Sequence, residues 1–355
     1  MNLPDIDCVL IGVNSGKTLA RCIDSILQCD YPREKLHICY VDGGSSDNSI
    51  ETAERYCGVS VVSLNPEYPT PGMQRNAGWK NGRSPLVQFL DSDTVLDTVW
   101  LSKAVDTIEA DNRIGAVLGM RNEMYPDTTI YNWIGNIEWN GPAGESDCFG
   151  GDVLVRRQAL VKTGGYNETL VGGEDPELSR RIIRAGWHII RLGAPMTKHD
   201  LAMTTVKQYL RRAFRSGYGF AAVRALEARA GSDFWRYDLI KIIVKGGTFL
   251  CSVPLAVLLV VLAPPGIIKV IAALLPFAGL AVMLSPRLLR IGKFMNDNNL
   301  NTADAKRYAW HCSVVVLPQL FGILRFQLGR LVNKPLRNKR RNLKTDLSTS
   351  GNSSF

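Results

Sequence analysis

Two carboxylates in one short stretch offer the most specific chemistry in this sequence. Residues 87–90 can line a buried strand, and Asp91-Ser92-Asp93 follows them directly. Open α/β sheets bind ligands at the carboxyl ends of their strands, where this pair would lie. Mg²⁺ and Mn²⁺ prefer carboxylate oxygen and complete their shell with water and substrate phosphates. The stretch therefore predicts a site for Mg²⁺ or Mn²⁺, and the alternative is an ordinary polar turn after a strand.

Two further acidic groups stand where a predicted strand ends or a predicted helix begins. Asp42 closes the apolar run 36–41, and Glu174-Asp175 follows two glycines and opens an amphipathic helix. Acidic residues at a helix start also have a structural explanation, because they complement the helix dipole. Three acidic groups at such points favour a shared polar site at one edge of a sheet.

The elements that would position these groups alternate between strand and helix. Apolar runs predict strands, and the spacing of Leu19, Cys22, Ile23 and Ile26 predicts a one-sided helix after the first of them. The predicted strands cover residues 8–13, 36–41, 59–64, 86–90 and 187–192. This alternation predicts βαβ units, a mainly parallel sheet and a nucleotide-binding α/β fold.

The segment 119–149 is less regular and contains Trp133 and Trp139. Aromatic residues on a loop beside a polar site suit the face of a sugar ring, and packing is the equally good alternative.

The charge of the chain is unevenly distributed. Its 355 residues suffice for two modest domains at about 150 residues each, and the formal net charge is +9. Residues 1–200 hold 19 Lys and Arg against 27 Asp and Glu, whereas residues 201–355 hold 23 against 6. A basic half indicates nucleic acid or an anionic membrane surface. Apolar runs in the same half favour membrane lipids, and no nucleic acid partner is predicted.

Those apolar runs are of membrane length. Residues 246–268 and 270–286 are uncharged, with only Lys269 between them. A spanning helix needs about 20 apolar residues, so this stretch predicts a helical hairpin, with a buried soluble core as the alternative. A third uncharged run covers 308–324, and a basic tail follows it. Because basic segments stay cytoplasmic, a re-entrant or in-plane third segment is preferred over a spanning one.

Cysteine usage and the amino terminus bear on location. The eight cysteines are scattered without a C-x-x-C pair, which predicts reduced, buried thiols. No apolar signal segment precedes the first predicted strand. The α/β part is therefore expected on the cytoplasmic face of a membrane.

The order of motifs along residues 5 to about 200 resembles the family-2 glycosyltransferases of GT-A fold. The start resembles the family's first strand and its turn, and later segments resemble its Val-Asp-Asp-Gly-Ser-Thr-Asp, Arg-Asn-x-Gly, Phe-Leu-Asp-x-Asp and Gly-Glu-Asp-x-(Asp/Glu)-Leu motifs. The matching segments here are 9–14, 41–47, 75–78, 89–93 and 173–178. The resemblance implies a GT-A nucleotide-diphospho-sugar transferase domain followed by transmembrane helices.

The resemblance implies a role for each matching residue. Asp175 would be the general base, with Glu174 beside it for acceptor contacts. Asp91 and Asp93 would hold donor and metal, and His199 is a further metal candidate. The remaining predicted contacts are Asp42, Arg75 and Val13 with the donor, and Trp133 and Trp139 with the acceptor.

Some positions depart from the family pattern. Val13 stands where an aromatic residue often stacks on the base, and Gly43 replaces the second Asp of the Asp-Asp pair. Gln208-x-x-Arg211-Arg212 only partly matches the Gln-x-x-Arg-Trp of processive synthases, so processivity is not supported. Recognition of the base should therefore rest more heavily on Asp42.

The resulting prediction is an inverting, metal-dependent glycosyltransferase. It would move a sugar from a UDP- or GDP-type donor to a hydroxyl of a lipid-linked or polysaccharide acceptor. The alternatives are a nucleotidyltransferase that makes nucleotide-sugars and a non-catalytic membrane scaffold. A nucleotidyltransferase usually needs a Gly-rich basic loop after the first strand, and residues 12–17 have one Lys and little Gly.

Four regions are expected along the chain. A GT-A catalytic domain covers 1–202, and a basic interfacial helix region covers 203–238. The membrane region, 239–330, contains a hairpin at about 243–286 and the third apolar segment at about 308–328. A basic, disordered tail is expected at 331–355.

Overall fold

The computed structural model describes residues 3–264 and 266–337, which form two compact units. The first contains the described residues 3–128, 138–202 and 337, and the second contains 129–137 and 203–336. The predicted tail lies outside the described residues from 338 onward.

Strands and helices alternate through the first unit. The strands are β1 Ile6–Gly12, β2 Leu36–Asp42, β3 Val59–Ser63, β4 Leu86–Asp91, β5 Thr94–Leu96, β6 Ile114–Glu123, β7 Gly144–Glu145, β8 Val153–Arg156 and β9 His188–His199. The helices of the whole described chain are α1 Leu19–Leu27, α2 Ser49–Glu54, α3 Pro71–Asn81, α4 Trp100–Ala110, α5 Ile130–Glu138, α6 Arg157–Thr163, α7 Glu174–Arg184, α8 Val206–Arg229, α9 Arg236–Leu262, α10 Ile267–Met283, α11 Ser285–Leu289, α12 Ile291–Asn298, α13 Thr302–Val314 and α14 Val316–Leu331.

The strands of the first unit form one mixed sheet in the order β3-β2-β1-β4-β8-β6-β9-β5, with β7 beside β9. The pairs β1–β2, β1–β4, β2–β3 and β6–β9 are parallel, and β8 pairs antiparallel with both β4 and β6. The mainly parallel core predicted from the sequence is therefore confirmed. Its parallel strands β1, β2 and β4 bring their carboxyl ends to one edge.

The core of the first unit forms because its central strand is apolar on both faces. Side chains from Ile6 to Leu10 of β1 are almost fully buried, as expected for a strand covered by helices on both sides. Leu19, Cys22, Ile23 and Ile26 of α1 are completely buried on one face of that helix. All eight cysteines are unpaired, and burial raises the pKa of the Cys8 and Cys22 thiols.

The last strand is longer than the sequence pattern indicates. The prediction ends it at residue 192, but β9 continues to His199. It pairs parallel with β6 through several register shifts and antiparallel with β5, where Thr94 faces His199. These irregularities break the alternation that marks a strand in sequence. The extension places His199 on the sheet.

The second unit consists of helices. A capping box between Thr205 and Gln208 starts α8. Helices α9 and α10 form the predicted helical hairpin, in which α9 ends at Leu262 and α10 begins at Ile267. In length and composition, α9 and the continuous stretch Thr302–Leu331 both suffice to cross a membrane.

Candidate active site

Asp91, Asp93 and His199 form one cluster at the carboxyl edge of the sheet. Asp91 is the last residue of β4, and the β5–β9 pairing brings His199 beside Asp93. One ligand atom from each of the three residues lies within 4.8 Å of the other two. His199 Nε2 is 3.2 Å from Asp93 Oδ1. Residues that are far apart in sequence therefore meet at the edge that the sequence predicts.

This cluster fits a divalent cation. Two carboxylates and one imidazole suit Mn²⁺, and the oxygen ligands also suit Mg²⁺. Asp93 Oδ1 and His199 Nδ1 are buried and have no hydrogen-bond partner among the described residues. Buried polar atoms are nearly always hydrogen-bonded, so a cation here would complete the bonding of Asp93 Oδ1, whose contact with His199 Nε2 at 3.2 Å is not a hydrogen bond. Asp91, Asp93 and His199 are the residues that could hold it.

Arg75 connects this cluster to the start of α7. Its guanidinium donates to Asp91 Oδ1 at 2.8 Å and Glu174 Oε1 at 3.1 Å, and it lies 3.3 Å from Asp175 Oδ1. The Arg75 side chain is almost fully buried, and the ring of Tyr166 lies beneath it. In this structure Arg75 holds three carboxylates together, and its approach to the donor diphosphate stays a prediction.

Asp175 occupies a position suited to accepting a proton. Gly173 has a positive φ of 87°, which starts α7 with a turn that favours glycine and places Asp175 in the first turn of the helix. Burial raises the pKa of the Asp175 carboxyl, although Arg75 opposes the shift. Asp91 shows the opposite direction: Arg75 and Arg121 hold its pKa below the usual value despite burial. Separated pKa values of this kind are typical of groups with different roles in one site.

Arg121 and Asp152 contact the residues around Asp91, and the sequence prediction does not include them. Arg121 donates to Asp91 Oδ2 at 3.2 Å. The buried carboxylate of Asp152 accepts the Asp91 backbone N–H at 3.1 Å and the Thr197 hydroxyl at 2.8 Å. Burial raises the pKa of Asp152 as well. Asp152 therefore ties β4 to β9 next to the cluster.

Two local features explain how these groups come so close. A Cβ on Gly151 would lie 2.6 Å from Arg75 Nη2 and 2.7 Å from Asp91 Oδ2, so a side chain there would push these two groups out of their present positions. Trp139 covers the other side, with its ring 4.9 Å from the His199 ring and 5.0 Å from the Arg121 guanidinium. Trp139 thus contacts the cluster itself, and its predicted acceptor role stays a prediction. Trp133 belongs to α5 in the second unit, and its acceptor role is likewise a prediction.

The loop after β2 places the predicted nucleotide residues. Asp42 is buried, and its carboxylate accepts the backbone N–H groups of Gly44 and Ser45 at 2.9 and 2.8 Å, together with the Tyr40 and Ser45 hydroxyls. These bonds shape the loop and occupy much of the acceptor capacity of Asp42. Val13 is 42% exposed beside this loop.

Gln74 lies against the same loop and was missed from the sequence. A Cβ on Gly43 would lie 2.7 Å from both Gln74 Nε2 and Val13 Cγ2, so Gln74 fills space that an Asp at position 43 would need. Gln74 is 5% exposed, and its Oε1 has no partner among the described residues. The absence of a side chain at Gly43 therefore leaves room for the Gln74 side chain beside the loop.

A cavity of about 690 Å³ lies elsewhere, at the amino ends of β1, β2 and β3. Asp7, Lys35 and Ser84 are among its lining residues, and none of the candidate site residues lines it. It therefore belongs to the opposite edge of the sheet.

Comparison with protein families identifies the chain. A model described as glycosyl transferase family 2 matches residues 8–159, and a model described as glycosyl transferase family group 2 matches residues 86–285. The second match alone covers more than half of the sequence. The chain belongs to glycosyl transferase family 2.

Named relatives of this family-2 glycosyltransferase are distant. Glycosyltransferase AglE of Haloferax volcanii is 22% identical over 195 residues, which is 53% of this chain and 64% of AglE. The pre-mycofactocin glycosyltransferase of Mycobacterium tuberculosis (strain ATCC 25618 / H37Rv) is 23% identical over 240 residues, or 60% of this chain and 46% of that protein. The chain spans about half to two thirds of the length of these relatives.

Solved structures share the fold of the family-2 chain. Mannosyltransferase PcManGT from Pyrobaculum calidifontis, in complex with GDP-Man and Mn²⁺, superimposes with a TM-score of 0.61 and 17% identity, covering 91% of this chain and 88% of PcManGT. TarS 1-349 of S. aureus, in complex with UDP-GlcNAc, gives a TM-score of 0.51 and 14% identity, covering 94% and 93%. The GT-A fold predicted from the motifs is confirmed.

Proposed function

We propose that this chain is an inverting, metal-dependent glycosyltransferase that moves a sugar from a nucleotide-diphosphate donor to a hydroxyl of a membrane-associated acceptor. One observation carries the proposal: Arg75 joins the Asp91–Asp93–His199 cluster to a buried carboxylate, Asp175, in a single network. This transfer requires two things: a cation site that binds the diphosphate of the donor, and a base that accepts the proton of the acceptor hydroxyl. The network offers both within one unit.

Different residues of the chain perform the two tasks of the reaction, cation binding and proton transfer. When bound at Asp91, Asp93 and His199, a divalent cation would neutralise the charge that develops on the leaving diphosphate. Asp175 accepts the proton of the attacking hydroxyl as the new bond to the sugar C1 forms and the bond to the diphosphate breaks. Its raised pKa favours that role, because a base works best with a pKa near the working pH. A single displacement of this kind inverts the anomeric centre.

Arg75 and Arg121 preorganise the site. Together they bind both oxygens of Asp91, and Arg75 also holds Glu174. These contacts exist before substrate arrives, so no reorganisation is needed at the moment of reaction. Glu174 then lies next to Asp175, in reach of an acceptor hydroxyl that approaches the base.

The proposed donor is a sugar of the UDP or GDP type. The fold neighbours PcManGT and TarS were solved with GDP-Man and UDP-GlcNAc, which supports this class without choosing between its members. Val13 and Gln74 are the proposed contacts for the base, since they lie together over Gly43. Asp42 would act mainly by holding the loop that carries this site.

The proposed acceptor is lipid-linked or polysaccharide, presented at a membrane with the catalytic unit on the cytoplasmic side. Helices α9 and α10 form an apolar hairpin whose outward side chains are exposed: Leu262 is 71% and Phe277 69% exposed. Hairpins with apolar exteriors are stable in lipid and costly in water. Membrane lipids are therefore the proposed surroundings of this hairpin.

Release of nucleotide from a panel of UDP- and GDP-sugars tests the proposal. The full-length chain in lipid nanodiscs would be assayed with Mn²⁺, with Mg²⁺ and with a chelator. We expect release of UDP or GDP that needs the metal and falls at least ~10²-fold in Asp93→Asn, because an amide is a poorer ligand for a hard cation. Asp111→Asn, a surface change at the Arg113 ion pair, is the control.

The products separate the alternatives. A nucleotidyltransferase would release pyrophosphate from a nucleoside triphosphate and a sugar phosphate, and a scaffold would release nothing. Full activity with the chelator present, or in Asp93→Asn, would contradict the metal role while leaving the transferase assignment intact.

A further inference from the structure

The third apolar segment, Thr302–Leu331, is long and apolar enough to cross a membrane. Its packing against other helices is nevertheless that of a helix at the membrane surface. We infer that α8 and the continuous stretch α13–α14 form a pair that lies in the headgroup region of the bilayer, so that the chain crosses the membrane only twice. This surface pair consists of residues 206–229 and 302–331. The inference rests on the membrane association proposed above and decides how the chain meets the lipid.

Helix α8 cannot lie within the hydrocarbon. It carries basic side chains on almost every turn, namely Lys207, Arg211, Arg212, Arg215, Arg224 and Arg229. Its longest uncharged run, residues 216–223, has a length of about 12 Å at 1.5 Å per residue. A bilayer core is about 30 Å thick. The basic side chains instead suit anionic headgroups, each contributing about 1 kcal/mol at such a surface.

Helix α14 packs closely against α8, and a side-chain contact joins α13 to α8 as well. At one end the Tyr209 hydroxyl lies 2.9 Å from His311 Nδ1. At the other end the rings of Tyr218 and Phe326 are 5.3 Å apart. The closest contact lies between these two ends, where residues 214–218 of α8 meet residues 319–322 of α14. At this point the middle of the stretch 302–331 lies at the same depth as α8.

Glycines bring the backbones of the surface pair into direct contact. A Cβ on Gly217 would lie 2.0 Å from the carbonyl oxygen of Gln319, and a Cβ on Gly322 would lie 2.1 Å from that of Phe214. Neither position has room for a side chain. This close approach leaves no space for lipid between α8 and α14.

Helix α9 provides an independent measure of depth. A Cβ on its Gly246 would lie 3.1 Å from Leu320 Cδ2 and 3.2 Å from the Val316 carbonyl oxygen. Gly246 follows Lys245 and belongs to the charged beginning of α9, whereas the hairpin's own packing continues deeper, at Ser252 against Gly279. Helix α14 therefore meets the span near the end where the charges begin.

The surface pair also has a face for the lipid. Exposed apolar side chains recur along one side of α13–α14 over 22 residues: Trp310, Val314, Phe321, Leu324, Leu328 and Leu331. Arg330 lies on the opposite side of the helix at 100° per residue, and exposed Lys306 and Arg307 precede the stripe on its own side, at the amino end. An apolar stripe opposite charge is typical of helices that lie in the interface plane.

Depth measurements with spin labels test this geometry in the full-length chain. Exposed Cys57 and Cys251 would be replaced by Ser, and single labels placed at Trp310, Phe321 and Leu328, with the protein in anionic vesicles. Collision with oxygen and with a water-soluble nickel chelate reports depth. We expect the three labels to lie within about 5 Å of the same depth, whereas a spanning helix would separate residues 310 and 328 by about 27 Å.

Labels at Leu250, Val257 and Val261 on the exposed side of α9 give the matched reference. We expect their depth to change by up to about 16 Å along the helix. If α9 changes depth and α13–α14 does so equally, the surface pair is wrong and the membrane association stands. If labels on α9 contact only water, the membrane association and the surface pair are both wrong.

Discussion

The two units use apolar side chains in opposite ways. In the first, Phe89 of β4 and Trp100 of α4 are fully buried in the core, away from water. In the second, Phe277 and Leu262 are mostly exposed although the helices that carry them are well packed. An apolar run in the sequence therefore does not by itself show that the side chains are buried in the protein, because side chains that face lipid are apolar as well. This difference between the two units supports the proposal that lipid surrounds the helices of the second unit.

The two units are also held together by different kinds of contact. The first unit concentrates charge: Arg75 and Arg121 bind carboxylates around Asp91. In the second unit, glycines bring helices together: Gly217 and Gly322 let α8 and α14 touch backbone to backbone, and Gly279 lets α10 approach Ser252 of α9. Changes to charge in the first unit should impair turnover, and changes to glycine in the second should impair stability.

The strongest test of this contrast is Asp175→Asn. Loss of the base should lower turnover by roughly 10²–10⁴-fold. Donor binding should survive because the metal cluster and the nucleotide loop are unchanged. Turnover measured beside nucleotide titration checks this. If Asp175 served only the helix dipole, the change would cost a few tenths of a kcal/mol and leave turnover intact.

The control for Asp175 has to be an exposed acid. Glu177, two residues further along α7, is unsuitable because it is buried and forms two 2.7 Å bonds with Arg181. Asp147→Asn is better: Asp147 is 81% exposed and forms an ion pair with Arg180 of the same helix α7. Equal turnover in Asp175→Asn and Asp147→Asn would leave the base unassigned.

The second test addresses the glycine contacts. Gly322→Val would place side-chain atoms against the Phe214 carbonyl oxygen and the Tyr218 nitrogen, which are backbone atoms that cannot rotate away. We expect a loss of about 1–3 kcal/mol in the free energy of unfolding. Thermal unfolding in detergent would show it, with turnover per folded molecule unchanged.

Gly247→Val is the matched control for this change, because a Cβ there meets nothing within 4 Å. Both substitutions insert a β-branched residue into a helix. If the two variants lose equal stability, the effect belongs to helix propensity, and the close contact of α8 with α14 contributes nothing.

The smallest expected effect concerns Gln74, a neutral side chain in the charged unit. Gln74→Leu removes an amide whose Oε1 is buried without a partner. If that oxygen bonds the donor base, the donor KM should rise up to about tenfold, with kcat little changed. Steady-state kinetics with UDP- and GDP-sugars would also show which base the residue favours.

Gln74→Leu should not destabilise the protein, because it removes a buried oxygen that has no bond to lose. Exposed Gln158 provides the control substitution. An unchanged KM for every donor, together with normal turnover, would exclude Gln74 from nucleotide recognition and leave Val13 as the remaining proposed contact.

Sequence patterns predicted the framework of the site. Strand ends carry Asp42 and Asp91, and two glycines start the helix that carries Glu174 and Asp175, because local turn chemistry and strand periodicity depend on neighbouring residues. The hairpin was predicted for a similar reason, because two consecutive uncharged runs, 246–268 and 270–286, indicate two helices without reference to distant residues. The segment holding α5 was not predicted, because it is short and its apolar pattern is weak.

Only the tertiary structure decided which side chains meet. The pairing of β5 with β9 places His199 beside Asp93, and the approach of Gly151 lets Arg75 bind Asp91, although nothing local to these residues indicates either contact. The same holds for the third apolar segment. Its composition permits a span, and its packing against a basic helix favours the surface. Strand register and helix packing depend on residues far apart in sequence, and a local pattern cannot encode them by itself.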